Sequence, residues 1–228
     1  MTLPPHDYWQ WLEPAGSAET AGPFTTFFPA TLTDGRVLRL PIRVLPGDGD
    51  AAVASLIANQ ASFLVLDALA EAMTNLVASA APDVIVGVPT LGLPLAEGVA
   101  RRLGHERLVA LSTSRKFWYE EAFSEPISSI TSPTHAKRLF LDPRLLPLLS
   151  GKRVAVIDDV VSSGRSLVAT LRLLRKAEVE PVAVAVAMLQ GGRWREALAD
   201  ADAGWPALVQ GVIASPLLEK SGDGWVAT

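Results

Sequence analysis

Apolar and polar positions along the chain change period several times, and the changes mark out the elements. Residues 154–157 form a short β-branched run that ends in Asp158 and Asp159, as in a strand buried on both faces whose carboxyl end reaches solvent. Residues 181–189 are wholly apolar, and the shorter runs 83–89, 107–114 and 137–141 predict further strands. Leu167, Leu171 and Leu174, with Arg172, Arg175 and Lys176 between them, repeat at helical spacing. A second helix is predicted at about 94–103. A long one is predicted over 51–79, with Val53, Leu56, Ile57, Phe63, Leu64, Leu66, Leu69 and Met73 for its apolar face. Strands near 84, 108, 138, 154 and 182, separated mostly by helices, give an α/β fold with an open parallel sheet.

The ends of the chain follow other patterns. Residues 1–23 read as an irregular arm in which Tyr8, Trp9 and Trp11 pack on the domain or on another subunit. Residues 24–32 and 36–44, joined by Thr33-Asp34-Gly35, read as a β-hairpin, and residues 46–50 break the chain. After residue 190 come a short helix near 195–201, a strand at 207–214 and a turn at 221–224. The expected organisation is an arm and hairpin over 1–50, a core over 51–190 and a C-terminal segment over 191–228. Residues 117–136 lack periodicity, and a segment of that length inside a compact domain reads as a lid or disordered loop.

Composition narrows the function. The chain has 228 residues, 49% of them apolar, with no cysteine and a net charge of −4. Disulfides and thiolate chemistry are excluded, and a reducing cytoplasm fits. No signal peptide and no long apolar span is seen, so neither export nor a membrane is expected. The basic residues are scattered, which argues against nucleic acid. His6, His105 and His135 sit at no spacing that suits a catalytic triad.

The chemistry gathers at 158–166. Val161 to Ser166 reads as a turn into a helix N-terminus, where unpaired amides favour an anion. Ser162, Ser163, Gly164, Arg165 and Ser166 can wrap a phosphate, and Gly164 lets the backbone come close. Asp158 and Asp159 would repel a bare phosphate but suit hydroxyls or a divalent cation held beside it. A sugar phosphate satisfies both demands. Thr90, Leu91 and Gly92 form a second strand-loop-helix turn, and Arg115 and Lys116 close the strand before the lid.

The run Val-Ile-Asp-Asp-Val-Val-Ser-Ser-Gly-Arg-Ser at 156–166 resembles the 5-phosphoribosyl-1-pyrophosphate (PRPP) motif of type I phosphoribosyltransferases. A receiver domain also carries an acidic pair at a strand end, but near its start, and here about 150 residues precede the pair. The resemblance covers roughly residues 51–190 and implies an α/β core under a small hood made from the terminal segments. It implies that Asp158 and Asp159 hold the ribose hydroxyls and that residues 162–166 hold the 5-phosphate. It places Thr90, Leu91, Gly92, Arg115 and Lys116 on pyrophosphate, although several members have a basic residue where this chain has Leu91. The implied reaction transfers the phosphoribosyl group of PRPP to a nucleobase, with adenine favoured, and releases pyrophosphate. Magnesium would arrive with PRPP, with no metal site of the protein's own, and the segment 117–136 would close over the site. A cytoplasmic homodimer is also implied. No residue names the base: Phe27, Phe28 and Trp194 are stacking surfaces only if they are not packing residues. Orotate or another base, or a silent PRPP-sensing regulator, remain alternatives.

Overall fold

The computed structural model describes residues 3–18, 21–127 and 137–228. In chain order the elements are β1 (Phe27–Thr31), β2 (Val37–Val44), β3 (Ala51–Ala54), α1 (Phe63–Ala78), β4 (Val84–Gly87), α2 (Gly92–Arg102), β5 (Val109–Ala110), β6 (Ser124–Ile127) and β7 (Lys137–Phe140). They continue as α3 (Leu146–Leu149), β8 (Val154–Val161), α4 (Arg165–Lys176), β9 (Ala183–Gln190), α5 (Arg193–Ala201), α6 (Trp205–Leu208), β10 (Val209–Ser215), β11 (Leu217–Ser221) and β12 (Gly224–Ala227).

The expected α/β fold is present. Five parallel strands lie in the order β10-β9-β8-β4-β5. β8 and β9 are buried on both faces, and their alternation divides the core in two. Ala155, Ile157, Ala183, Ala185 and Ala187 pack with α1 and α2, where small side chains let the helices come close. Val154, Val156, Val184 and Val186 face the other way, toward α4 and the buried Trp194, Leu198 and Trp205.

A second sheet, β1-β2-β3-β11-β12, is antiparallel and built from the two terminal segments. This is the hood of the sequence reading. The arm lies beneath it: Tyr8 and Trp9 are buried, and the Trp9 indole donates to the Ser55 carbonyl at 3.0 Å.

Several elements differ from expectation. The helix foreseen over 51–79 begins only at Phe63, because Ser62 caps it by accepting from the Val65 amide at 3.2 Å. Upstream, Ala51–Ala54 pairs with β2 and β11 instead, so tertiary pairing overrides the helix propensity of an alanine-rich run. The strand at 107–114 shrinks to Val109–Ala110 at the sheet edge. Lys137–Phe140 does not join the parallel sheet; it pairs antiparallel with β6, forming a two-stranded ribbon packed on α4. Its place in the sheet is taken by β10, which the sequence reading put in the C-terminal segment.

Candidate active site

The candidate residues occupy the carboxyl edge of the parallel sheet, where open α/β folds bind ligands. The stagger of two strands creates the opening. β4 stops at Gly87, opposite Ile157, whereas β8 runs on to Val161, opposite Leu189. From Asp158 onward β8 therefore has a strand neighbour on one side only, and the N-terminus of α2 fills the other. The strand was expected to end at Ile157, but it carries both acids within it.

This burial sets the charge of the acid pair. Asp158 is only 6% exposed, Asp159 is half-buried, and among the described residues neither makes an ion pair. The Asp159 amide donates to Oδ1 of Asp158 at 2.8 Å. Burial pushes the Asp158 carboxyl well above the usual carboxylate range, and the charge of Asp159 pushes the same way. Burial raises Asp159 as well. Two carboxylates held without a cation are an unfavourable arrangement for folding alone. They suit a site that supplies hydroxyl donors or positive charge from a ligand.

The loop of residues 90–92 meets the acids directly. A Cβ on Gly92 would lie 2.8 Å from Oδ1 of Asp158 and 3.2 Å from the Ile157 carbonyl oxygen. Thr90 is exposed, Leu91 packs into the core, and the Pro89–Thr90 peptide is cis.

Beyond β8, residues 162–166 turn into α4 and line a pocket of about 130 Å³ that extends from Val160 to Leu167. Ser162, Ser163, Arg165 and Ser166 are exposed, and the three serine hydroxyls make no hydrogen bond among the described residues. The first amides of α4 have no intrahelical partner, so donors and dipole together suit an anion. Gly164 takes φ of +78°, and a Cβ there would lie 3.1 Å from Cα of Trp194 and from Cβ of Ala197. The expectation that this glycine keeps the cradle open is thus amended: its missing side chain makes room for α5.

Arg115 and Lys116 lie past the end of β5, exposed, and among the described residues make no hydrogen bond or ion pair with the acids or with residues 162–166. Arg115 instead approaches Glu121 at 3.6 Å. The segment after them is more ordered than foreseen: Glu121–Phe123 forms a turn and Ser124–Ile127 a strand, while residues 128–136 of the expected lid lie outside the described residues. Trp194 is 1% exposed and cannot stack on a base, and Phe27 lies beneath Arg39.

Sequence reasoning missed an anchor at the base of that segment. Asp142 accepts from the Arg144 guanidinium and from the Trp118 indole at 3.2 Å, and Arg144 stacks over Trp118 at 4.4 Å. Arg144 holds the Asp142 carboxyl down at about 2. The signal that points to it is Asp142-Pro143, since Asp followed by Pro marks a helical cap.

Comparison with known proteins shows the family. An adenine phosphoribosyltransferase of Mycobacteroides abscessus is 33% identical over 132 residues, 54% of this chain and 63% of its own. The transcriptional regulator GfcR of Archaeoglobus fulgidus is 31% identical over 54% of this chain and 57% of its own. The chain thus spans about 60% of the length of these curated relatives. Among solved structures, APRTase from Giardia lamblia complexed with 9-deazaadenine superposes with a TM-score of 0.59 at 21% identity, covering 76% of this chain and 93% of that one, a likeness of fold. Residues 52–208 match the model of the phosphoribosyl transferase domain, and the chain belongs to that family.

Proposed function

We propose that the protein transfers the 5-phosphoribosyl group of PRPP to a nucleobase nitrogen, with adenine the favoured acceptor, and releases pyrophosphate. The observation that carries this reading is the pair of unpaired carboxylates, Asp158 and Asp159, set between the Gly92 loop and the open serine cradle on the edge of a phosphoribosyl transferase domain.

Each part then has a task. Ser162, Ser163, Arg165 and Ser166, with the amides from Gly164 onward, hold the 5-phosphate. Asp158 and Asp159 accept hydrogen bonds from the ribose hydroxyls and face the positive charge that grows on the ring as the C1–oxygen bond to pyrophosphate breaks. The amides of residues 90–92, with Arg115 and Lys116, stabilise the departing diphosphate. The base nitrogen attacks C1 as pyrophosphate leaves, so no protein nucleophile is required. Among the described residues no cluster of three or more His, Cys, Asp or Glu is placed to hold a cation. The acid pair suits a magnesium ion carried in by PRPP, which when bound would neutralise the diphosphate.

The same reading takes the protein to be a cytoplasmic homodimer, without nucleic-acid or membrane partners. Among the described residues no helix is long and apolar enough to cross a membrane. A second reading, a PRPP-sensing regulator without turnover, is favoured by the 31% identity to GfcR. Calorimetry with PRPP and magnesium, alongside pyrophosphate release with adenine, guanine, hypoxanthine, xanthine, orotate and uracil, separates the two. Binding with release on one base supports the transferase. Binding without release on any of them supports the sensor.

A further inference from the structure

We propose that the groove on the outer flank of α4 is a second anion site, distinct from the serine cradle, that takes a phosphomonoester with a flat apolar body. The groove encloses about 290 Å³ between the β6–β7 ribbon, α4 and α5. Arg165 and Arg172 line it, seven residues apart on one helix face and separated by about 10.5 Å of helical rise. Two extended guanidinium arms span that distance.

Neither arginine makes a hydrogen bond or ion pair among the described residues, and both are exposed. On a neighbouring face of the same helix, Arg175 is pinned by Glu180 and Asp202. The one acid lining the groove, Glu125, is already engaged: Lys176 Nζ lies 2.7 Å from its Oε1 and donates to the Ser124 carbonyl at 2.9 Å. In a chain of net charge −4, two guanidiniums without a partner among the described residues thus line one groove. Their planar donor forks match phosphate oxygens, which supply the missing charge. The floor is apolar: Val168, Ala169 and Ala197 form it, with Pro126 as a wall. Inorganic phosphate would leave that floor wet, whereas a flat organic body on the phosphate would cover it.

Arg165 also lines the cradle pocket. An anion in the groove and the 5-phosphate in the cradle thus draw on the same charge, and each weakens the other. Only this coupling rests on the reading of residues 162–166 as the PRPP cradle; the groove stands without it.

Calorimetric titration of the full chain with phenyl phosphate tests the site, with and without saturating PRPP and magnesium, for the wild type and Arg172→Ala. Arg172 is an exposed helix residue outside the cradle, so the variant keeps its fold and its PRPP affinity. The expected result is that phenyl phosphate binds the PRPP-loaded protein, several-fold more weakly than the free protein. Arg172→Ala should weaken it about tenfold in both states, the loss of one charge-assisted contact. Complete exclusion of phenyl phosphate by PRPP, or unchanged affinity in Arg172→Ala, overturns the proposal. Should PRPP itself not bind, the transferase reading fails, and the effect of Arg172→Ala on the free protein still decides the groove.

Discussion

Gly92 sits so close to Asp158 that a Cβ added to it would lie 2.9 Å from the aspartate's Cα and 2.8 Å from its Oδ1. The Asp158 Cα belongs to a central strand and cannot yield, so a side chain at 92 must push the loop of residues 90–92 outward. Gly92→Ala is expected to lower kcat/KM for PRPP about 100-fold, the scale of a 1 Å misplacement at a reacting centre. It should also cost about 1–3 kcal/mol of stability through overpacking. Steady-state kinetics and a melting curve check both, and wild-type kinetics would show that the contact has no bearing on the loop's task.

The acid pair gives a prediction in which stability and activity part. Burial raises the Asp158 carboxyl above the usual carboxylate range, so the folded state prefers it protonated. The cost of its charge is absent below the unfolded pKa, where both states are protonated. It grows as pH rises through the folded pKa and is full above it. Asp158→Asn removes the charge and keeps an oxygen to accept from the Asp159 amide. The variant should therefore melt higher than wild type at pH 7–8, by about 2–4 °C for each kcal/mol released. The advantage should vanish on acidification toward pH 4, while turnover is lost at every pH. A variant less stable than wild type at neutral pH would contradict the assignment of a buried, unpaired charge.

Gly164 is constrained twice, by its φ of +78° and by the backbone of Trp194. Gly164→Ala should cost about 1–3 kcal/mol, from the left-handed conformation and the contact with α5 together. PRPP affinity should fall as well, because the cradle shifts with the helix. Ser163→Ala and Ser166→Ala separate the two effects: they should weaken PRPP and leave the melting temperature near that of wild type.

Asp142 behaves in the opposite sense to Asp158. Arg144 holds its carboxyl at about 2, so its contribution is present above the ordinary carboxylate range and is lost as pH falls through about 2. Asp142→Ala removes the acceptor, so it should destabilise the protein at neutral pH and free the Trp118 indole, with a red shift in its emission. The stability gap should narrow in strong acid. An unshifted emission spectrum would show that Asp142 does not hold Trp118.

The parts legible in the sequence were those whose signal is local. The β-branched run before Asp158, the hydroxylated turn with Gly164 and the leucine spacing of α4 each carry their own pattern, and the fold class followed from repeating strand and helix periods. What escaped reading depended on pairing across long separations. Ala51–Ala54 reads as helix in isolation and becomes a strand because β2 and β11 offer it partners. Lys137–Phe140 and Val209–Ser215 both read as strands, and the pairing across the fold decides that the second enters the parallel sheet and the first a ribbon. At the site, the sequence named Gly92 and Asp158 but not their contact. Trp194 has packing as its favoured role over stacking, and the packing of α5 on Gly164 buries it.

The most direct test of the account is pyrophosphate release from PRPP, magnesium and adenine by the wild-type protein and by the double variant Asp158→Asn/Asp159→Asn. The account predicts base-dependent release by the wild type. It predicts release at background level from the double variant, whose melting temperature at pH 7–8 is not lower. Equal release from both proteins would contradict it.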